Sequence, residues 1–502
     1  MAGPEIMKLG NSMRAKHYLK AGIGQTFALG ALALGGTLVF GADLAEAKAP
    51  DPVSILPAPQ PATQKPNAQK PAAPTPGAPT PGVAQPGAAA APAPPASTSP
   101  VIPIIPPELP PAPLVMNWNL GDARALLGVV VGLEAEGLIP ADYELAALRA
   151  AIAAGEGEGL DIQASRSFSW LAEDLRDGRT RMESRTQWFA VDHDVEQAPT
   201  EALMARALEG HDVVGVLAGL APTNPDYAAL KGALAAMPRA DRKTRDLIRV
   251  NMDRWRWLSR EMGPFYLITN VPEFQLRLTV RNEIIRSYRT IVGKPGKTAT
   301  PQLAEVVQGV IFNPTWTVPQ SIVKGEGLGA QLLANPARAR RENYKVTKAE
   351  NGMVTVVQQP GPGNSLGLMK LDMPNPHAIF VHDTPSRRLF NLDARALSHG
   401  CIRTERASEL GMTMAILGAG MTPEEGIAHS TSRKYTLVPM TRTFPIYITY
   451  FTMATDVSGK MRAFNDLYQR DGAVLTSFAA PRKLQDGQRT SKEAIIKLDN
   501  PL

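Results

Sequence analysis

The apolar residues of this chain keep a helical period up to about Gly263 and then switch to a period of two. A polypeptide patterned this way divides into a helical layer followed by a mainly β layer. In "ARALLGVVVGLEAEGL", Leu126, Val130 and Leu133 fall at i, i+4 and i+7, and the stretch breaks at Pro140. "SFSWLAEDLRDGR" and "PDYAALKGALAAM" continue the helical pattern, with Asn224, Pro225 and Asp226 as a helix start. "IRVNMDRWRWLSREMG" places Met252, Trp255 and Leu258 on one face, a stripe that fits a core. Then "FQLRLTV" alternates Phe274, Leu276, Leu278 and Val280 against polar neighbours, and "NEIIRSYRTIVG" returns as its hairpin partner. Strand signals recur at "MVTVVQQ", "HAIFVHD" and "FPIYITYFTM". Between them, "GEGLGAQLLANPARARRENYKV" is long, polar and basic, and reads as a lid or flap.

The pattern before residue 116 is different. Lys8, Arg14, Lys16 and Lys20 precede an apolar run in 21–47 that is free of charge until Asp43 and ends near "AEA". A basic segment, an apolar segment and small residues make a signal peptide, or an uncleaved anchor, since the run is about long enough to span a bilayer. The basic side would stay in the cytoplasm, and the rest would be exported. Residues 48–115 are rich in Pro, Ala, Gln, Thr and Gly and lack the apolar content for a core, so they read as an extended linker. The expected order is a basic N-terminus at 1–20, anchor or signal at 21–47 and linker at 48–115. A helical domain at 116–245 follows, then a mainly β domain at 246–480 with a capping insertion at about 320–360, and a tail at 481–502.

The formal net charge of +6 is spread along the chain with no aromatic-basic stripe, which argues against a nucleic-acid partner. Cys401 is the only cysteine among 502 residues, so an internal disulfide is impossible. Four readings of it remain: a buried small hydrophobe, half of an intermolecular bridge, a metal ligand, or a nucleophile. His382 follows the apolar run 378–381 and would stand at the end of a buried strand, nineteen residues before Cys401. The thiol itself precedes "TERASELGMTMAIL", read as a helix opening at Thr404 or Glu405. A thiol near a helix N-terminus, beside Arg403 and within reach of an imidazole, has the ingredients of a lowered pKa. Gly400 would let backbone approach a substrate, and N–H groups around Gly400 and Cys401 could form an oxyanion hole. His377, His382, His399 and Cys401 together would make a four-ligand metal set, but their spacing matches no zinc pattern. His193 and His211 are isolated and fit surface or structural roles. Spacing by itself leaves packing and thiol chemistry both open.

The word "HDTP" followed by "SHGCIR" resembles the catalytic signature of the L,D-transpeptidase (YkuD) family. "NMDRWRWL", "ITNVPEFQL", "VGKPGKTATP", "FNPTWTVPQSI", "GNSLGLMKLDMPN" and "FPIYITYFT" resemble blocks of the large periplasmic, YcbB-type members, and the helical half is similar to their scaffold domain. No copy of the small peptidoglycan-binding domain usual in such relatives is found. The resemblance implies an α+β chain, a helical scaffold domain followed by a mainly β YkuD-like catalytic domain with an inserted capping loop. It implies Cys401 as nucleophile and His382 as general base, oriented by a backbone carbonyl such as that of Asp383. Ser398, His399 and Gly400 would form the oxyanion loop, and Arg403, Asp383 and Thr384 would contact substrate. The implied substrates are peptidoglycan tetrapeptide stems in the periplasm or envelope, cross-linked 3→3 through a thioester without cofactor or metal. The implied partners are wall-synthesis proteins and, through the anchor or a transient signal, the inner membrane. A basic segment at 338–345 would cap the site.

Overall fold

The computed structural model describes residues 114–190 and 194–482. The segments expected as basic N-terminus, anchor and most of the linker lie outside the described residues, as do His193 and nearly all of the tail. Among the described residues no helix is long and apolar enough to cross a membrane.

The helical half follows its period. The helix Leu120–Val131 is capped by the Asn119 side chain, which accepts the Asp122 N–H, and buries Leu126 and Val130. The helix Glu158–Asp177 supplies Phe168 and Leu171 to the same core, and Trp118 Nε1 donates to Ser165 Oγ at 3.0 Å beneath it. Pro225–Ala236 begins at Asn224 and Pro225, as the sequence predicts. The helix Arg242–Trp255 straddles the expected boundary at 245. Its Ile248, Met252 and Trp255 join Tyr227 and Leu234 from the helical side and Tyr447 and Phe451 from the β side in one apolar cluster.

The β half contains β1 (Phe265–Asn270), β2 (Gln275–Val280), β3 (Glu283–Gly293), β4 (Leu303–Phe312), β5 (Trp316–Thr317), β6 (Tyr344–Lys348), β7 (Val354–Gln358), β8 (Met369–Asp372), β9 (Val381–His382), β10 (Ala396–Ser398), β11 (Ile402–Thr404) and β12 (Thr436–Thr449). The hairpin β2–β3 pairs as expected, Leu276 opposite Tyr288. Following the pairings from β3 through β11, β9, β8, β4, β12, β1 and β2 returns to β3, so among the described residues the main sheet closes on itself. β10 extends the end of β3 in parallel. Closure leaves few edges to cover. The helix Ala407–Ala419 presses Leu410 and Met414 into the cluster formed by Met369, Leu371, Val381 and Ile402.

The polar stretch read as a flap is a folded unit between β4 and β8. β5, β7 and β6 form a three-stranded sheet, and the helices Gln320–Val323, Leu328–Ala334 and Pro336–Arg341 pack on it around Val318, Val323, Leu332 and Val356. Its two ends are clamped by Asn364, whose Nδ2 donates to the carbonyls of Pro314 at 3.1 Å and Gln359 at 3.0 Å.

Two local expectations are corrected. The apolar run 378–381 is not a strand, because Ala378 takes a left-handed backbone (φ 49°) and ladder pairing spans only Val381 and His382. The helix does not open at Thr404 or Glu405 but at Ala407, because Thr404 is held in β11 opposite Thr290. Cys401 therefore precedes a strand and does not sit at a helix N-terminus.

Beside the apolar cluster of Ile248, Met252 and Trp255, the helix Arg242–Trp255 makes a buried polar contact with the turn that follows Glu158–Asp177. Asp253 accepts the N–H groups of Arg179 at 2.7 Å and Thr180 at 3.1 Å and the indole N–H of Trp257 at 3.0 Å. Removing it strands three buried donors, so Asp253→Ala is expected to lower unfolding stability by about 3–5 kcal/mol in urea titration.

Candidate active site

β9 and β11 run parallel, with Val381 opposite Ile402 and His382 opposite Arg403. Cys401 immediately precedes β11, two residues before the Arg403 that stands opposite His382. Ile402 and Val381, fully buried, point the other way into the core. The sheet thus brings together the thiol and the imidazole that the sequence singled out.

His382 is buried, and its Nδ1 lies 2.6 Å from the Asp383 carbonyl. A carbonyl only accepts, so Nδ1 carries the proton and Nε2 the lone pair. Burial is the main reason that the ring's pKa falls to about 3; the Arg403 guanidinium and the Lys370 ammonium push the same way, against the carbonyls of Asp383 and Leu366. At neutral pH the ring is an uncharged base.

Cys401 is half-buried and its Sγ lies 3.6 Å from the Ala378 carbonyl. Burial pushes the thiol up, while the Phe380 N–H, Lys370 and Arg403 pull it down. The loop that carries it is tightly braced. Ser398 Oγ donates to the Cys401 carbonyl at 2.6 Å and accepts the Gly400 N–H at 3.1 Å. The Gly400 carbonyl accepts Thr300 Oγ1 at 2.7 Å, and Thr300 N–H donates to Tyr468, whose hydroxyl donates to the Gly293 carbonyl at 2.7 Å. Gly400 has φ 119°, and a Cβ there would meet Ile379 Cδ1 at 3.0 Å, so only glycine fits.

Several expected site residues do other work. The Gly400 N–H is spent on Ser398 and is no free oxyanion donor. His399 turns outward and its Nε2 lies 2.9 Å from Glu326 Oε1, tying the Cys401 loop to the capping unit rather than lining an oxyanion hole. The Asp383 carboxylate is buried, accepting the Leu368 N–H at 2.9 Å and pairing with Arg387 at 3.3 Å, so it is not available to substrate. Thr384 is buried, and its Oγ1 accepts the Ser386 N–H at 3.2 Å, a turn contact. Arg403 faces the thiol. Of the other histidines, His377 packs on the Phe189 ring at 4.1 Å, and His211 pairs with Asp122 at 2.9 Å. No group of three or more His, Cys, Asp or Glu among the described residues is arranged to hold a metal.

Sequence reasoning missed Lys370, Thr300 and Tyr468. Lys370 stands opposite His382 across β8 and β9, and Thr300 and Tyr468 brace Gly400. The only sequence signal of Lys370 and Thr300 was the blocks "GNSLGLMKLDMPN" and "VGKPGKTATP", in which no single residue announces its role, and Tyr468 lies in neither.

A thiol in a braced loop and a neutral imidazole on the adjoining strand make a site of the thiol–imidazole class. Residues 264–411 match the L,D-transpeptidase catalytic domain (YkuD), and residues 118–234 match the scaffold domain. The chain therefore carries a YkuD L,D-transpeptidase catalytic domain behind a scaffold domain, an order consistent with the YcbB type. A Haemophilus influenzae protein called "Putative L,D-transpeptidase" is 28% identical over 223 residues, covering 41% of this chain and 45% of that protein, less than half its length. Among solved structures, the carbamoyl enzyme of Ldtfm with avibactam shares 15% identity over 37% of this chain and 49% of that one, with a TM-score of 0.19. The L,D-transpeptidase from Mycobacterium smegmatis shares 13% over 37% and 58%, also with a TM-score of 0.19.

The state of His382 has a consequence for stability. The ring is held near pKa 3 in the fold against an ordinary 6.5, so the native state binds fewer protons than the unfolded chain between those values. Its contribution is complete above about pH 6.5 and is lost as pH falls toward 3, by at most on the order of 5 kcal/mol. In urea titrations across that window, His382→Gln should lose less stability than the wild type. Parallel losses would mean that His382 is not buried as a neutral base.

Proposed function

We propose that the protein is a peptidoglycan L,D-transpeptidase that joins peptide stems by 3→3 cross-links through a thioester on Cys401. The observation that carries this is a neutral, Nδ1-anchored His382 on β9 paired in parallel with β11, which begins directly after Cys401, within a YkuD domain. His382 Nε2 takes the thiol proton as sulfur attacks the carbonyl after the third stem residue. The same ring returns that proton to the leaving D-Ala nitrogen as the C–N bond breaks. The amine of a second stem then attacks the thioester, His382 takes its proton, and the thiolate departs. No step needs a metal.

The work would take place in the periplasm, where stems are accessible. The capping unit, tied by Glu326 to His399 beside the thiol, borders the site that donor and acceptor must enter.

The test is incubation of purified protein with disaccharide tetrapeptide, followed by mass spectrometry of the products. Cross-linked dimers that vanish in Cys401→Ala support the reading, and a drop of at least a hundredfold is expected for His382→Gln. Trimmed monomers without dimers would make the protein a thiol hydrolase with water as acceptor, and binding without turnover would make it a wall-binding scaffold. A carbapenem should add its whole mass to the wild type, because the thiol opens the β-lactam ring by addition, and should leave Cys401→Ala unmodified in intact-mass spectra.

A further inference from the structure

Two cations face the thiol without an anion to balance them. Lys370 on β8 stands opposite His382, and Arg403 on β11 stands opposite His382 from the other side. The three are abreast, Cys401 directly precedes β11, and both cations act on its thiol. Lys370 is only 6% exposed, with its ammonium 3.6 Å from the centroid of the Phe380 ring. Among the described residues it makes no hydrogen bond or ion pair. Arg403 likewise makes no ion pair among them, and its buried Nε has no hydrogen-bond partner.

Burying a cation without a counter-charge is costly, and a guanidinium cannot escape by losing its proton. The charged groups acting on this face are Lys370 and Asp372 from β8, His382 from β9 and Arg403 from β11. Asp372 acts on Lys370 from two residues along its strand but forms no ion pair with it. His382 cannot supply the missing charge balance, since both cations oppose its protonation. Cys401 is the group whose ionisation would favour the charged form of each.

We infer that Lys370 and Arg403 together hold the negative charge of the Cys401 thiolate, with Lys370 as a positioning residue acting on the sulfur. His382 stays uncharged beside that thiolate and is not its counter-charge. This rests on Cys401 being the nucleophile, but it concerns the resting thiol and can be read without turnover.

Because Cys401 is the sole cysteine, its carbamidomethylation by iodoacetamide can be followed by intact mass in the full chain. The pH at which the alkylation rate is half-maximal reports thiolate formation. Lys370→Met should raise that midpoint by about one pH unit or more and slow alkylation at pH 7 about tenfold, and Lys370→Arg should restore both. His382→Gln should leave the midpoint within about 0.3 unit, because the imidazole is not the charge partner. An unchanged midpoint in folded Lys370→Met overturns the inference and assigns the cations to a substrate anion. A rise of a full unit in His382→Gln overturns it as well. Should circular dichroism show that Lys370→Met does not fold, the His382→Gln arm decides by itself. The expected alkylation pattern in a protein that forms no muropeptide dimers would keep this inference and sink the transpeptidase reading.

Discussion

The parallel pairing of β9 with β11 is the constraint on which the site depends. The Ile402 N–H donates to the Phe380 carbonyl at 2.9 Å, which sets Arg403 opposite His382 and leaves Cys401 at the entry to β11. A slip of one residue would turn Ile402 out of the core. Such short strands, two and three residues long, cannot hold register by their own ladder. They are held by neighbours: β8 on one side, β3 on the other, and the apolar side chains of Val381 and Ile402 beneath. The bracing of Gly400 by Thr300, and of Thr300 by Tyr468, fixes the approach to β11 in the same way.

Burial then sets protonation. The same enclosure that orders the imidazole keeps it uncharged, and the same enclosure raises the thiol. A resting thiolate–imidazolium pair is therefore disfavoured, and the ring stays neutral with a free lone pair. The Asp383 carbonyl, in place of a carboxylate, suits this design. A carbonyl fixes the tautomer without adding the negative charge that would stabilise the imidazolium. The Asp383 carboxylate is turned away, pressed by Gly367, where φ is 65° and a Cβ would overlap it.

Much of this was legible in the sequence, and what was not has a physical reason. Periodicity located the helical half and the β2–β3 hairpin because both depend on neighbours close in the chain. The pairing of His382 with Cys401 was legible only as a motif, and the Asp383 carbonyl as orienter followed from it. Local apolarity misread 378–381, where Ala378 adopts a turn that places its carbonyl beside the thiol. It also gave no sign that the polar capping stretch has a core of its own, since Val318, Leu332 and Val356 come from segments far apart. Asp383 and Thr384 adjoin His382 in the chain, yet their side chains are absorbed by local contacts. Lys370 gave no signal because its meaning lies in a cross-strand register that sequence spacing does not encode.

The treatment of buried cations elsewhere sharpens the contrast at the site. Arg179 meets Asp142 at 3.1 Å, Arg254 meets Asp471 at 2.6 Å, and Arg482 meets Glu173 at 2.6 Å, all nearly without solvent exposure. These pairs sit where the helical and β halves join, and each is further held by carbonyl or side-chain oxygens such as Ala480 and Thr452. Such pairs add little net stability, since desolvation offsets attraction, but they specify one docking geometry. The fold thus satisfies its inaccessible guanidinium groups with carboxylates at the joint. Beside Cys401 it leaves two cations without one, although Asp372 and Asp383 are each only two residues or one strand away. An acid in ion-pair contact there would quench the positive potential around the thiol. It would also favour the imidazolium over the neutral ring. Keeping Asp372 and Asp383 out of ion-pair contact with Lys370 and Arg403 serves both the thiol and the neutral imidazole.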